Sequence, residues 1–205
     1  MRSIPSRFHW IHHASGTVLA VFFVLHVSNH LFALAGPSAH VQAMTLLRKV
    51  YRFPPLEALL LLCVLGQVIT GLPLLAKQRL ERKSGYDTLQ LLSVLYLSFF
   101  MIYHVQAVLV GRWVHLVETD YYFAAGVANH YPEKLFFIPY YTLSLLSAFV
   151  HIACAHRNIR LAGIRNEPPE KRALAQRRIH WQTGWIISGG ALVTALVMLA
   201  LTGVL

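Results

Sequence analysis

Five stretches, 14–35, 56–76, 89–110, 135–155 and 185–204, are each apolar over about the 20 residues that a helix needs to cross a bilayer. Hydrocarbon offers no partner to a free peptide group, so such stretches must close their own hydrogen bonds, as helices do. Only 13% of the 205 residues are charged, against about 25% in a soluble domain, and the mean hydropathy is +0.52. The expectation is an all-α integral membrane bundle of five transmembrane helices forming one domain, 1–205, with no room for a separate water-soluble unit. Gly36-Pro37 closes the first span, Pro54-Pro55 opens the second and Pro132-Glu133 precedes the fourth. The first stretch is too long for a signal-peptide core and lacks a cleavage site, so it reads as a retained helix. No internal repeat is evident.

The net charge of +10 does not point to nucleic acid, because the basic residues cluster between apolar segments. Thirteen of the 18 Lys and Arg residues fall on one side: Arg2 and Arg7, the second loop (Lys77, Arg79, Arg82, Lys83) and the fourth loop, 156–182. Arg48, Lys49, Arg52, Arg112 and Lys134 make up the other side. The positive-inside rule then predicts a cytoplasmic N-terminus and an outer C-terminus in a cell inner (cytoplasmic) membrane. Trp113, Tyr121, Tyr122, Tyr131, Tyr140 and Tyr141 are expected to form an aromatic belt around the outer third loop. The basic fourth loop reads either as an orientation signal lying at lipid headgroups or as a docking surface for a cytoplasmic partner. Cys63 and Cys154 lie within spans and lack redox or zinc spacing.

His26 and His104 stand deep in two otherwise apolar spans, where an ionisable side chain is costly and by default faces a partner inside the bundle. At about 1.5 Å of rise per residue they lie roughly 18 and 22 Å from the inner ends of spans one and three, at similar heights in the outer half. Two imidazoles at one level on separate helices suit the axial positions of a b-type heme. The plainer alternative is that each hydrogen-bonds a carbonyl or hydroxyl inside the bundle. His30, one turn outward of His26, competes for the ligand role or contacts a heme propionate.

A second level lies nearer the inner side. His151 is roughly 6–8 Å in and Gln67 roughly 13 Å in; glutamine is a poor iron ligand beside histidine. His151 is then an axial ligand, a satisfied core histidine or part of a quinone pocket, and His12 or His13 is its nearest partner. A quinone needs a polar group beside an apolar slot. Ser15, His12, His13 and Gln67 are candidates near the inner face, and Glu57 and His30 near the outer heme. Glu57 reads equally as a proton acceptor or as a carboxylate favoured by a helix N-terminus.

Spans one to four, over residues 12–156, carry His12-His13-Ala14-Ser15-Gly16 followed by Phe22-Phe23-Val24-Leu25-His26, then Leu56-Glu57, Gln67 with Gly71 four residues on, Tyr103-His104-Val105 and Phe149-Val150-His151. In that register the chain resembles the single-chain, five-helix membrane cytochrome b subunit of bacterial succinate:quinone and quinol:fumarate oxidoreductases, the respiratory complex II anchor of succinate dehydrogenase and fumarate reductase. The resemblance implies heme b held by His26 and His104 as the outer pair, and it places His151 in an inner pair whose second histidine is Gln67 here. That departure leaves a one-heme chain, the reading favoured here, or an inner heme with a substitute ligand such as His12 or His13. It also implies a quinone, menaquinone or ubiquinone, and a cytoplasmic iron–sulfur subunit and flavoprotein subunit as partners. The chain has no flavin or nucleotide motif, so succinate or fumarate chemistry would belong to those partners, and this chain would be a non-catalytic or quinone-site subunit in electron transport. Two other readings stand beside it: a stand-alone membrane cytochrome serving another quinone-linked reductase, and a heme-free scaffold or transporter, which no inverted repeat supports.

Overall fold

The computed structural model describes residues 6–81 and 84–203. Among them there are seven α-helices and no strand: α1 (Ser6–Leu31), α2 (Pro37–Tyr51), α3 (Pro54–Glu81), α4 (Gly85–Trp113), α5 (Tyr121–Asn129), α6 (Lys134–Gly163) and α7 (Pro169–Leu201). Five of them, α1, α3, α4, α6 and α7, are long and apolar enough to cross a membrane. Their exposed side chains include Val21, Val24, Leu62, Ile69, Leu92 and Leu192, an outer surface that suits lipid tails. The side chains of Arg2, Lys77, Arg79, Arg82 and Lys83, used above to assign the sides, lie outside the described ones, as does Val204 at the end of the fifth stretch.

Local chemistry sets the helix ends. A 3₁₀ turn, Phe32–Ala35, tightens the end of α1, and Gly36 follows at φ 103°, a left-handed conformation that glycine adopts without a Cβ penalty. Pro37 then starts α2 at a position where its missing N–H costs nothing. Ser84 and Asp87 form a capping box at α4: the Asp87 carboxylate accepts the Ser84 N–H at 2.8 Å, and the Ser84 hydroxyl accepts the Asp87 N–H at 3.3 Å. Asp120 caps α5 by accepting the Tyr122 N–H at 2.9 Å.

The spanning helices pack as a ring, α1 against α3, α3 against α4, α4 against α6, α6 against α7, and α7 back against α1. The most extensive seam is α6 with α7, where Gly190 lies against Phe149 and Ala148, Ala153, Ile179 and Thr183 are buried. Apolar side chains gain little by leaving lipid for protein, so close approach through small residues carries such seams. The Thr183 and Thr194 hydroxyls donate to the Ile179 and Gly190 carbonyls at 2.8 and 2.7 Å, so neither is unpaired in the seam.

At the end of the ring away from the N-terminus, α2 and α5 form a lid. Tyr121, Ala125 and Ala128 of α5 pack with Met198 and Leu201 at the end of α7. The Tyr121 hydroxyl donates to the Ala200 carbonyl and the Asn129 amide to the Leu201 carbonyl, at 2.9 and 2.8 Å, which satisfies groups that the end of a helix leaves open. The aromatic belt expected from the sequence is therefore divided. Trp113, Tyr122 and Tyr131 are exposed, whereas Tyr121 and Tyr140 are buried in packing. The stretch 156–182 is also mostly helix, because α6 runs to Gly163 and α7 begins at Pro169.

Candidate cofactor site

A ring of five helices leaves space along its axis, and here a cavity of about 1570 Å³, partly open to the outside, runs through it. Single-ligand pockets commonly occupy roughly 300–1,000 Å³. The lining runs from His9, His12 and His13 at the N-terminal end to Arg48, Arg52 and Arg112 at the far end, with His26, His30, His104 and His151 between them.

His26 of α1 and His104 of α4 reach across this space, on helices that are not neighbours in the ring. Their ring centroids are 6.3 Å apart and the ring planes are inclined at 69°. Each has a phenylalanine one turn before it on the same helix: Phe22 stacks on His26 at 5.4 Å and 21°, and Phe100 stacks on His104 at 4.9 Å and 16°. Residues four apart share a helix face, so each pair presents an aromatic wall and an imidazole side by side.

His30 continues the row. Its Nε2 lies 3.4 Å from Nε2 of His26, and its Nδ1 lies 3.3 Å from Nε2 of His40. His40 comes from α2 and is only 2% exposed; its Nε2 also meets the Asn29 amide at 3.2 Å. Burial, and secondarily the nearby Arg48, lower the His40 pKa below the ordinary 6.5, while Asp120 opposes the shift. Nδ1 of His40 and Oδ1 of Asn29 are buried with no partner among the described residues. Sequence reasoning missed His40 and Asn29. The signal was present as a helical stripe, His40, Met44, Arg48 and Tyr51, all of which line the cavity.

The other candidates gather at the N-terminal level. Nδ1 of His12 lies 3.0 Å from the Thr70 hydroxyl. Gln67 donates from Nε2 to the His12 carbonyl at 2.6 Å and to the Ser15 hydroxyl at 2.8 Å, and that hydroxyl donates to the Ile11 carbonyl at 2.6 Å. Gln67 thus clamps α1 to α3. The approach is close: a Cβ at Gly16 would lie 3.4 Å from the Gln67 amide nitrogen, and one at Gly71 would lie 3.5 Å from His12. His13 is exposed beside His12, with ring centroids 6.5 Å apart at 76°. His151 lines the same cavity, and its Nδ1 is buried with no partner among the described residues. Glu57 is not free to act alone, because Arg112 at the end of α4 donates to its carboxylate.

Two axial imidazoles on one metal, with metal–nitrogen bonds of about 2 Å and each centroid about 1.1 Å behind its nitrogen, have centroids roughly 6 Å apart. The ring centroids of His26 and His104 stand at that spacing, while Nε2 of His26 meets Nε2 of His30. Among the described residues no group of three or more His, Cys, Asp or Glu side chains is arranged to hold a metal ion. No family model, curated protein or solved structure matches the chain.

Proposed function

We propose that this chain is a multi-pass cytochrome b subunit of a cell inner membrane, the anchor of a succinate:quinone or quinol:fumarate oxidoreductase. In this reading the N-terminus is cytoplasmic, and heme b binds between His26 and His104. The 6.3 Å separation of these two imidazoles across the ring carries the reading. Heme held by His26 and His104 would supply a one-electron couple, a relay rather than an oxygen-activating site.

The chain's own part is placement. Phe22 and Phe100 fix the tilt of the two imidazoles. Gln67 is committed to the α1–α3 clamp, which supports one heme per chain. At the same level the His12–Thr70 pair, Ser15 and the orphaned Nδ1 of His151 offer a quinone carbonyl polar partners beside apolar walls. The iron–sulfur and flavoprotein subunits would dock on the cytoplasmic face, where in this orientation the basic ends of α6 and α7 lie.

The reduced-minus-oxidised optical spectrum of the purified protein tests the assignment. It should show a low-spin b-type signal that His26→Ala and His104→Ala each abolish and His30→Ala largely keeps. Normal spectra from both single ligand variants would overturn the pairing, and two hemes per polypeptide would overturn the single-heme count.

A further inference from the structure

The outward side of α4 carries a polar side chain that the rest of the chain leaves unsatisfied. Leu92, Leu95, Phe99, Ile102 and Gln106 follow one another at steps of three, four, three and four, and all five are exposed. That spacing keeps them on one line along the helix. α4 packs against α3 and α6 on its other sides, so the line faces the surroundings of the bundle. Four of its members suit lipid tails, and Gln106 does not.

Among the described residues of the five apolar stretches, Gln106 is the one exposed side chain that is an amide, an imidazole or a charged group. Asn29, Glu57 and Gln67 are buried or half-buried and hydrogen-bonded inside the bundle. Gln106 makes no hydrogen bond with any described residue. An exposed hydroxyl can turn back to a carbonyl of its own helix, as that of Thr17 does to His13 at 2.9 Å. The longer amide of Gln106 finds no such partner. It stands seven residues before Trp113, where α4 ends, about 10 Å of rise from the nearer membrane face. Helical side chains lean toward the N-terminus of their helix, which for Gln106 is away from that face. A lone amide at such a depth is costly, so the line calls for a polar partner.

Every copy of a membrane chain is inserted the same way round. A two-fold axis relating two copies therefore runs along the membrane normal and brings each residue beside it against its own counterpart at one depth. A glutamine amide holds both donors and an acceptor, so two of them can satisfy each other. Steps of three and four also mark the seam on which two helices interlock side chains, and a single polar residue in such a seam fixes its register. Ala107, exposed beside Gln106, is small enough to let two backbones approach. We propose that α4 pairs with α4 of a second copy of this chain along Leu95, Phe99 and Ile102, with the two Gln106 amides hydrogen-bonded to each other across the axis. The pairing asks nothing of the cavity and stands apart from the cytochrome reading.

Oxidative cross-linking of the full chain in native membranes tests it. Ile102→Cys, on the seam, should give a disulfide-linked dimer, whereas Leu192→Cys, exposed on α7, should stay monomeric; Cys63 and Cys154 are buried and leave little background. In purified protein diluted into lipid vesicles, Gln106→Leu should weaken association about tenfold, read as lost energy transfer between donor-labelled and acceptor-labelled copies. Gln106→Asn, which keeps an amide, should lose less. Equal cross-linking at positions 102 and 192, parental association of Gln106→Leu, or a product linked to a different protein in place of the dimer would each overturn the pairing. Should Gln106→Leu fail to fold, the Ile102→Cys product decides alone: a dimer supports the pairing and its absence overturns it.

Discussion

His40 shows how one residue can decide the character of the far end of the cavity. It is 2% exposed and surrounded by His30, Asn29 and Tyr121, with Arg48 and Asp120 as the charges that act on it. Because burial lowers its pKa in the folded protein, the unfolded chain binds a proton there more readily. Its contribution to stability is full above the ordinary value of 6.5 and is lost as pH falls from there toward the lowered folded value. Thermal melts in detergent should show the midpoint falling from pH 7 to pH 5, and His40→Gln should flatten part of that slope. An unchanged slope in the variant would show that His40 titrates freely. His26 and His104 were legible in the sequence because a polar residue in a 20-residue apolar stretch contrasts with everything around it. His40 sits in a mixed segment, 37–51, where the same residue type carries no contrast, and only its helical spacing from Met44, Arg48 and Tyr51 marks it.

At the scale of elements, apolar length and Pro/Gly punctuation located all five long helices, since both follow from backbone chemistry that acts within a few residues. The lid helices α2 and α5 were not legible in the same way, because their burial depends on the end of α7 arriving beneath them. The helical course of 156–182 was hidden for a related reason: polar residues on a helix that continues beyond the apolar zone look like loop. The pairing of the helices was also invisible. The closeness of α6 and α7 depends on Gly190, where an added Cβ would run into Cγ and Cβ of Phe149. Gly190→Ala should cost about 1–3 kcal/mol through overpacking, seen as a lower melting midpoint, and Phe149→Ala in the same chain, which removes the nearest atom, should recover part of the loss. A parental midpoint for Gly190→Ala would mean that the two helices can part without penalty. Phe149 also touches Phe23 of α1 across the ring, with centroids 5.3 Å apart, so the recovery should be incomplete.

For the whole molecule, five spanning helices put the two ends of the bundle's chain on opposite faces, and the proposed orientation assigns a compartment to each. The lid and the arginine mouth then face outward, and the short connection between α6 and α7 faces the cytoplasm. This follows from basic residues that resist transfer across a membrane more than acidic ones do, and it can be tested without reference to any cofactor. Cys63 and Cys154 are both buried thiols, so they should be slow to react and leave a quiet background. Ser38, at the start of α2, and Arg165, between α6 and α7, are exposed. In intact cells stripped of their outer layers, a membrane-impermeant maleimide should label Ser38→Cys at once and Arg165→Cys only after the membrane is opened. The reverse pattern would invert the bundle. An inverted bundle would put His12, Ser15 and Gln67 beside the outer face, and the cytoplasmic iron–sulfur partner proposed above would then approach the arginine mouth instead of the basic ends of α6 and α7. The labelling result thus decides which end of the cavity a soluble electron donor can reach, independently of whether His26 and His104 hold a heme.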